Sequence, residues 1–355
     1  MITYFDLIQD SDFRDYVYNR FSKGSGIDYI IPTSFPILYR YRPLSNYAID
    51  DIIKNTLSLS AIGEFNDIFD GAMHLYGLKS EQEAAAEAQW SEMESLRIAS
   101  HFPEGILRRE DVVNSYVEYC KVESRLKFRE LDYLGTYVCC FSTDNASTLM
   151  WSHYADSNKG LCIEYDFNQL PSNDLLRNSV FPVVYTEKPI DTSDLLTDTG
   201  NRVYQYPLDA AVLCTALNKA SVWQYENEWR IVWVMASFVL RKRRIPIGSF
   251  VHPSKVYLGY HFLKSFFFYS HNKEECDKCT DALSLFIQLL DYLKKMSIPV
   301  AVMKPMVGTY SFNPCDISID GLEEFIRKQF PANRPGDMRF YYVVHDHLMD
   351  LIEKQ

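Results

Sequence analysis

Trp223–Val232 reads WQYENEWRIV, placing two glutamates, an arginine and two tryptophans in ten residues that run into an apolar stretch. Aromatic and β-branched residues alternating with charges predict a strand. A two-residue period from Tyr225 to Arg230 predicts Glu226, Glu228 and Arg230 on one face, with Tyr225, Asn227 and Trp229 on the other. Neighbouring carboxylates repel, and Arg230 relieves this by pairing with one of them, with Lys219 as a further counter-charge. The stretch is therefore either an ion-paired strand or the loaded strand of an active site.

The composition narrows the class. The 355 residues are 47% hydrophobic and 23% charged, an ordinary globular balance that excludes wholesale disorder. With 36 basic and 47 acidic residues the net charge is −11, which argues against broad electrostatic wrapping of nucleic acid. The first residues, MITYFDLIQD, carry acids where a secretory signal needs a basic start. The apolar run IVWVMASFVL is about half the length of a membrane span. The expectation is a soluble, cytoplasmic protein without a membrane segment, its eight cysteines reduced. Cys276 and Cys279 form one C-x-x-C in HNKEECDKC. A structural zinc needs four ligands, so a helix start carrying two cysteines is the simpler reading and no metal is expected.

Working outward, helical spacing predicts a helix over 3–22. ILYRYRP is a short strand stopped by Pro43, with Tyr39 and Tyr41 on one face and Arg40 and Arg42 on the other. Ser45 then caps a helix over roughly 46–55, and LSLS is a further strand. A charged, helix-rich stretch forms an insertion at about 78–131. Strands are expected at LGTYVCCFST, KGLCIEYDF, VFPVVYTE, KVYLGYHF, IPVAVMKP and GTYSF. Helices are expected at ASTLMWSHYAD, LDAAVLCTALNKAS and TDALSLFIQLLDYLKKM, with two more in a C-terminal helical tail at about 316–355. Strands and helices mix without regular βαβ alternation, so the fold class is α+β with a mainly antiparallel sheet in one domain, 1–355.

Several side chains could carry chemistry. Arg40 and Arg42 share a strand face and could line a phosphate pocket, since guanidinium groups engage phosphate oxygens in pairs. Equally, one of them could bridge to Asp67, Asp70 or a glutamate of YENEWR. In the FNDIFD turn, Asn66 and Asp67 suit backbone caps. In LMWSHYADSNKG, Trp151, His153 and Tyr154 either form an aromatic wall for a cofactor or pack in the core. Arg241–Arg244, RKRR, is a basic run that is a solvated loop or meets an acidic partner. A Gly-rich phosphate loop, a G-x-S-x-G elbow and an H-E-x-x-H helix are all absent from the sequence.

Three blocks in this order resemble the bacterial domain of unknown function (DUF) 2971 family: LYRYRPLSNYAIDDIIKNTLSLSAIGEFNDIFD, CCFSTDNASTLMWSHYADSNKGLCIEYDF and KASVWQYENEWRIV. The resemblance spans about 37–312. More remotely, the layout is similar to bacterial ADP-ribosyltransferases, among them toxin and phage-defence members. That likeness implies Arg40 or Arg42 on an early strand, Ser142 with Tyr154 in the middle, and Glu226 or Glu228 late, Glu228 being preferred. The aromatic wall read above would add Trp151 and His153 as cofactor-binding residues, and the likeness implies NAD as substrate with a protein or nucleic-acid acceptor. The implied function is an NAD-consuming ADP-ribosyltransferase-like enzyme or NAD glycohydrolase, with Glu228 facing the two arginines across a cleft. The alternatives are a metal-dependent nuclease using Asp67, Asp70, Glu164 and a late glutamate, or a non-enzymatic sensor or interaction module.

Overall fold

The computed structural model describes residues 9–15, 34–67, 69–71, 90–96, 98, 108–110, 136–190, 213–234, 244–247, 251–270 and 272–353. The elements that frame the site are, in chain order, β1 (Leu38–Arg42), α1 (Asn46–Ile53), β2 (Ser60–Ala61), β3 (Thr136–Ser142) and α2 (Thr148–Tyr154). They continue with β4 (Leu161–Tyr165), β5 (Val180–Pro182), β6 (Glu228–Val234), β7 (Lys255–Leu258) and α3 (Lys273–Met296). The chain closes with β8 (Val300–Pro305), β9 (Phe312–Ile317), α4 (Ile319–Gln329) and α5 (Tyr341–Glu353).

Among the described residues the nine strands form one sheet, ordered β9-β8-β7-β4-β1-β3-β6-β5, with β2 attached to β3. Every pairing is antiparallel except β7 with β8. A parallel pair needs a long crossover, and α3 supplies it. The fold is α+β with a mixed, mainly antiparallel sheet, as the sequence predicts.

Helix α3 starts at Lys273, ahead of the predicted Thr280, because Asn272 caps it by accepting from the Glu275 amide at 2.7 Å. Its apolar stripe of Leu283, Phe286, Leu290 and Leu293 packs on the sheet face that carries Leu38, Cys139, Phe141, Ile163 and Val256. Both C-terminal helices dock into the same core through Phe325, Ile326, Tyr341, Leu348 and Ile352. The opposite sheet face holds a smaller cluster around Tyr41, Trp151, Cys162, Tyr257 and Met303. Ser45 caps α1, accepting from the Ala48 amide at 3.3 Å, and Ser147 caps α2 in the same way.

Several expectations change, among them the strand expected at GTYSF, which is a turn followed by β9. VFPVVYTE breaks into Val180–Pro182 and Val184–Thr186. The predicted helix LDAAVLCTALNKAS ends early: 213–217 are helical, and Asn218–Ala220 pair with Val184–Thr186 as a strand. The Asn218 amide fixes this pairing by donating to Val184 O at 3.3 Å and Thr186 Oγ1 at 2.8 Å, a tertiary contact that overrides local helix preference. Of the helix at 3–22, residues 11–15 are helical and most of the rest lie outside the described residues. Of the insertion at 78–131, residues 90–96 are helical, and beyond 98 and 108–110 the remainder lies outside them too. Among the described residues no helix is long and apolar enough to cross a membrane.

One discontinuity in the sheet opens a cleft. β1 and β3 pair at a single position, Tyr39 with Ser142. Further along β3, its edge is taken by β2 at Val138 and Tyr137. Between these two anchor points the facing edges of β1 and β3 have no shared ladder, and a cleft of about 380 Å³ lies there. That volume falls within the roughly 300–1,000 Å³ of small-molecule sites.

Candidate functional site

Tyr39, Arg40, Tyr41 and Arg42 line one side of the cleft, and Val138 to Ser142 line the other. Asp70, Tyr154, Lys219, Glu226, Glu228 and Arg230 complete the lining. The three sequence blocks therefore converge on one cavity, although not as expected. Register sets Tyr39, Ser142 and Glu228 side by side on one sheet face. Alternation then puts Arg40 and Arg42 on the opposite face from Glu228, so Glu228 does not face them. Both sets reach the cleft because the sheet is split between β1 and β3.

Glu226 is not on the strand either. Ser221–Glu226 form a 3₁₀ turn, Asn227 takes left-handed angles (φ 44°, ψ 52°), and β6 begins at Glu228. Asparagine tolerates that conformation better than most residues. The predicted i, i+2 relation survives for Glu228 and Arg230, and fails for Glu226.

A buried charge cluster forms the acidic wall. Arg230, with no exposed surface, donates Nε to Glu228 Oε1 at 2.8 Å and Nη2 to Oε2 at 3.0 Å. It also grips Asp70 with both terminal nitrogens, at 2.8 and 2.6 Å. Lys219, carried by the Asn218–Ala220 strand, reaches Glu226 Oε2 at 2.5 Å, Glu228 Oε2 at 2.9 Å and Asp70 Oδ2 at 3.4 Å. The arginine paired with the Asp70 carboxylate is thus Arg230, not Arg40 or Arg42. Asp67 plays the capping part expected of it, accepting from the Phe69 amide at 2.9 Å.

The two glutamates differ electrostatically. Burial alone would raise Glu228, but Arg230 and Lys219 beside it hold its carboxyl down at about 2. Glu226 is pushed up by burial, against the pull of Lys219 and with the charge of Glu228 adding to the rise. Its Oε1 accepts from the Tyr154 hydroxyl at 2.6 Å. Glu226 is therefore the carboxyl nearer a change of protonation, and Glu228 is a fixed anion.

The arginines divide in the same way. Arg40 is buried and committed: it donates to Asp51 Oδ2 at 3.3 Å and to Ser58 O at 2.6 Å. Asp51 also accepts from Ser58 Oγ at 2.6 Å and meets Arg244 at 3.3 Å. Arg42 has no hydrogen-bond or ion-pair partner among the described residues, and its buried Nε is unsatisfied. Burial, and then the neighbouring Arg40, lower its pKa to about 10, which leaves it charged at neutral pH. The strand end that carries it is held tightly, because a Cβ at Gly160 would lie 2.2 Å from Arg42 O.

The remaining candidates are less available. Ser142 is fully buried, donates to Glu226 O at 2.7 Å and accepts from the Asp144 amide at 3.1 Å, so it braces the cleft wall. Trp151 is not a cofactor wall: it has no exposed surface, its Nε1 donates to Asn145 O at 2.7 Å, and its ring meets Tyr41 edge-on at 5.2 Å. His153 is exposed, outside the cleft lining, with Nδ1 3.3 Å from the Tyr225 hydroxyl. Glu164, needed for the nuclease reading, accepts from Ser254 Oγ at 2.7 Å and from the Tyr257 hydroxyl. Among the described residues no three acidic, histidine or cysteine side chains are arranged to hold a metal ion. Cys276 and Cys279 lie free in the opening turns of α3. Of the basic run, Arg241–Arg243 lie outside the described residues, and Arg244 pairs with Asp50 at 3.0 Å.

Asp51 was missed from sequence, although a signal existed. Helical spacing puts it on the same face as Ala48 and Ile52, and an acid on an apolar face needs a buried partner.

Residues 150–231 match the model of a protein family of unknown function, DUF2971. The DUF2971 match covers Tyr154, Lys219, Glu226, Glu228 and Arg230, bearing out the resemblance over those blocks and leaving β1 outside. No curated protein and no solved structure matches the chain. The more remote likeness to ADP-ribosyltransferases therefore rests on layout alone.

Proposed function

We propose that the split-sheet cleft is the active site of an NAD-consuming, ADP-ribosyltransferase-like enzyme, with Glu226 as the working carboxylate and Arg42 as the phosphate-holding cation. The observation that carries this reading is the shared cleft of an arginine side chain without a partner among the described residues and a carboxyl that burial pushes above its ordinary value. In the reaction the ribose–nicotinamide C–N bond breaks and its electron pair leaves with neutral nicotinamide. Positive charge develops on the ribose, where an anion stabilises the transition state more than the ground state. Water, or a hydroxyl or amine of a protein or nucleic-acid acceptor, then attacks C1′ and loses its proton. Tyr154 and Lys219 orient the Glu226 carboxylate. The cluster of Asp70, Glu228 and Arg230 fixes Lys219 in turn.

Incubation of the purified protein with NAD releases nicotinamide, and Glu226→Gln stops the release without unfolding the chain. Release that persists in Glu226→Gln removes that residue from the catalytic role, and no release from the unaltered protein under any acceptor sinks the reading. A second reading, a nucleotide-binding sensor, is favoured by the depth of the charge cluster, all five members of which are buried. It predicts NAD binding without release of nicotinamide.

A further inference from the structure

The Arg42 end of the cleft is rich in hydrogen-bond donors. Arg42 has no partner among the described residues, and its buried Nε is unsatisfied. A second orphan stands on the same sheet face. Tyr165 pairs in register with Leu38, so alternation aligns it with Arg40 and Arg42. It has no exposed surface, and its hydroxyl meets no partner among the described residues. Its ring packs edge-on against Phe141, a residue of the cleft lining, at 5.9 Å. Arg40, Cys139, Asp51 and Arg42 are the groups whose charge acts on the hydroxyl, so it stands close behind that lining. The carboxylate beside them is already saturated. Asp51 Oδ2 accepts from Arg40, the Ser58 amide and Ser58 Oγ, while Oδ1 accepts from Thr56 Oγ1 and meets Arg244. Glu64, also on the lining, is exposed.

Buried donors without acceptors are costly, and the charge of Arg40 disfavours that of Arg42. A bound oxyanion relieves both. We propose that Arg42 and Tyr165 form an oxyanion site that takes a proton-free anion, a sulfate or a doubly esterified phosphate, in preference to orthophosphate. Orthophosphate keeps at least one P–O–H at neutral pH, and a buried hydroxyl needs an acceptor. Sulfate, and each phosphate of a nucleotide pyrophosphate, presents acceptors alone. The site shares Arg42 with the NAD reading above and does not depend on cleavage of NAD. Tyr165 and the rejection of a protonated oxyanion go beyond that reading.

Calorimetric titration of the full chain with sulfate or orthophosphate, at constant ionic strength, tests the site. Sulfate should bind roughly tenfold more tightly, the factor expected when one hydroxyl is buried without an acceptor. Tyr165→Phe should weaken sulfate about fivefold. It should leave the urea midpoint of the sulfate-free protein unchanged or raised, because it removes an orphan hydroxyl. Arg42→Gln should weaken sulfate further, by roughly tenfold or more. Equal affinity for the two anions, no sulfate binding, or unchanged sulfate affinity in Tyr165→Phe overturns the proposal. A lowered urea midpoint in Tyr165→Phe also overturns it, since the hydroxyl then holds a buried water. ADP-ribose distinguishes two sources of the anion, either of which upholds the site. Displacement of sulfate by ADP-ribose assigns it to a nucleotide pyrophosphate, and sulfate that stays bound assigns it to a free oxyanion. Nicotinamide release is measured separately, so an inactive protein that still prefers sulfate removes the enzymatic reading alone.

Discussion

The Tyr154 hydroxyl donates to Glu226 Oε1 at 2.6 Å and so ties helix α2 to the end of the turn that precedes β6. Hydrogen bonding of this kind favours the ionised carboxylate and works against the burial that raises Glu226. Tyr154→Phe should therefore shift Glu226 protonation to higher pH. Carbon-13 spectra of labelled glutamate, followed through a pH titration, report it. An unchanged Glu226 titration would show that the hydroxyl does not tune the carboxyl.

Glu228 answers two buried cations, and Glu226 answers one. Breaking a buried ion pair by removing one partner costs about 3–5 kcal/mol, an upper bound here because Arg230 keeps Asp70 and Lys219 keeps Glu226. Glu228→Gln should approach that loss in urea unfolding, and Glu226→Gln should lose clearly less. The opposite ranking would contradict the division of roles between the two glutamates.

The close approach of β1 to the loop after α2 sets a steric limit. A Cβ at residue 160 would sit 2.2 Å from Arg42 O and 2.9 Å from Ala155 O, both backbone atoms that cannot turn aside. Gly160→Ala should destabilise the fold by about 1–3 kcal/mol and displace Arg42. Thermal unfolding checks the first effect, and weakened nucleotide binding checks the second.

Acid should loosen the docking of α5. His261 sits 2.9 Å from the Tyr341 hydroxyl, and His345 contacts Tyr260 O at 3.0 Å. Burial, then Lys264 and His345, lower His261 to about 4, and burial foremost also lowers His345. Both are lowered in the folded state, so their contribution is complete above the ordinary value of 6.5. It is lost as pH falls from there toward about 4, where the unfolded chain binds protons that the folded chain refuses. Denaturant midpoints measured between about pH 7 and 4.5 should fall, and less steeply in His261→Gln. A flat profile in the unaltered protein would refute this.

Much of the fold is legible in the chain because it depends on local periodicity. LYRYR alternates about Tyr39 and Tyr41, Ser45 and Ser147 sit where caps belong, and the Leu283–Leu293 stripe repeats at helical spacing. The family blocks likewise contain side chains that converge on the cleft, although Trp151 and His153 lie outside its lining. Glu226 shows the limit: an i, i+2 reading assumes extended backbone, and the left-handed angles at Asn227 remove Glu226 from the strand.

Sequence by itself determined the α+β class, the residue types of the site and the pairing of Glu228 with Arg230, since each follows from contacts a few residues apart. Tertiary structure alone decided which of two similar groups is free. Asp51 and Ser58 hold Arg40 and leave Arg42 unmatched, while Arg230 and Lys219 hold Glu228 and leave Glu226 closer to gaining a proton. It also decided that β1 and β3 part beyond Tyr39 and Ser142, opening the cleft. Those outcomes depend on partners distant in the chain and on burial, and neither has a local period to read.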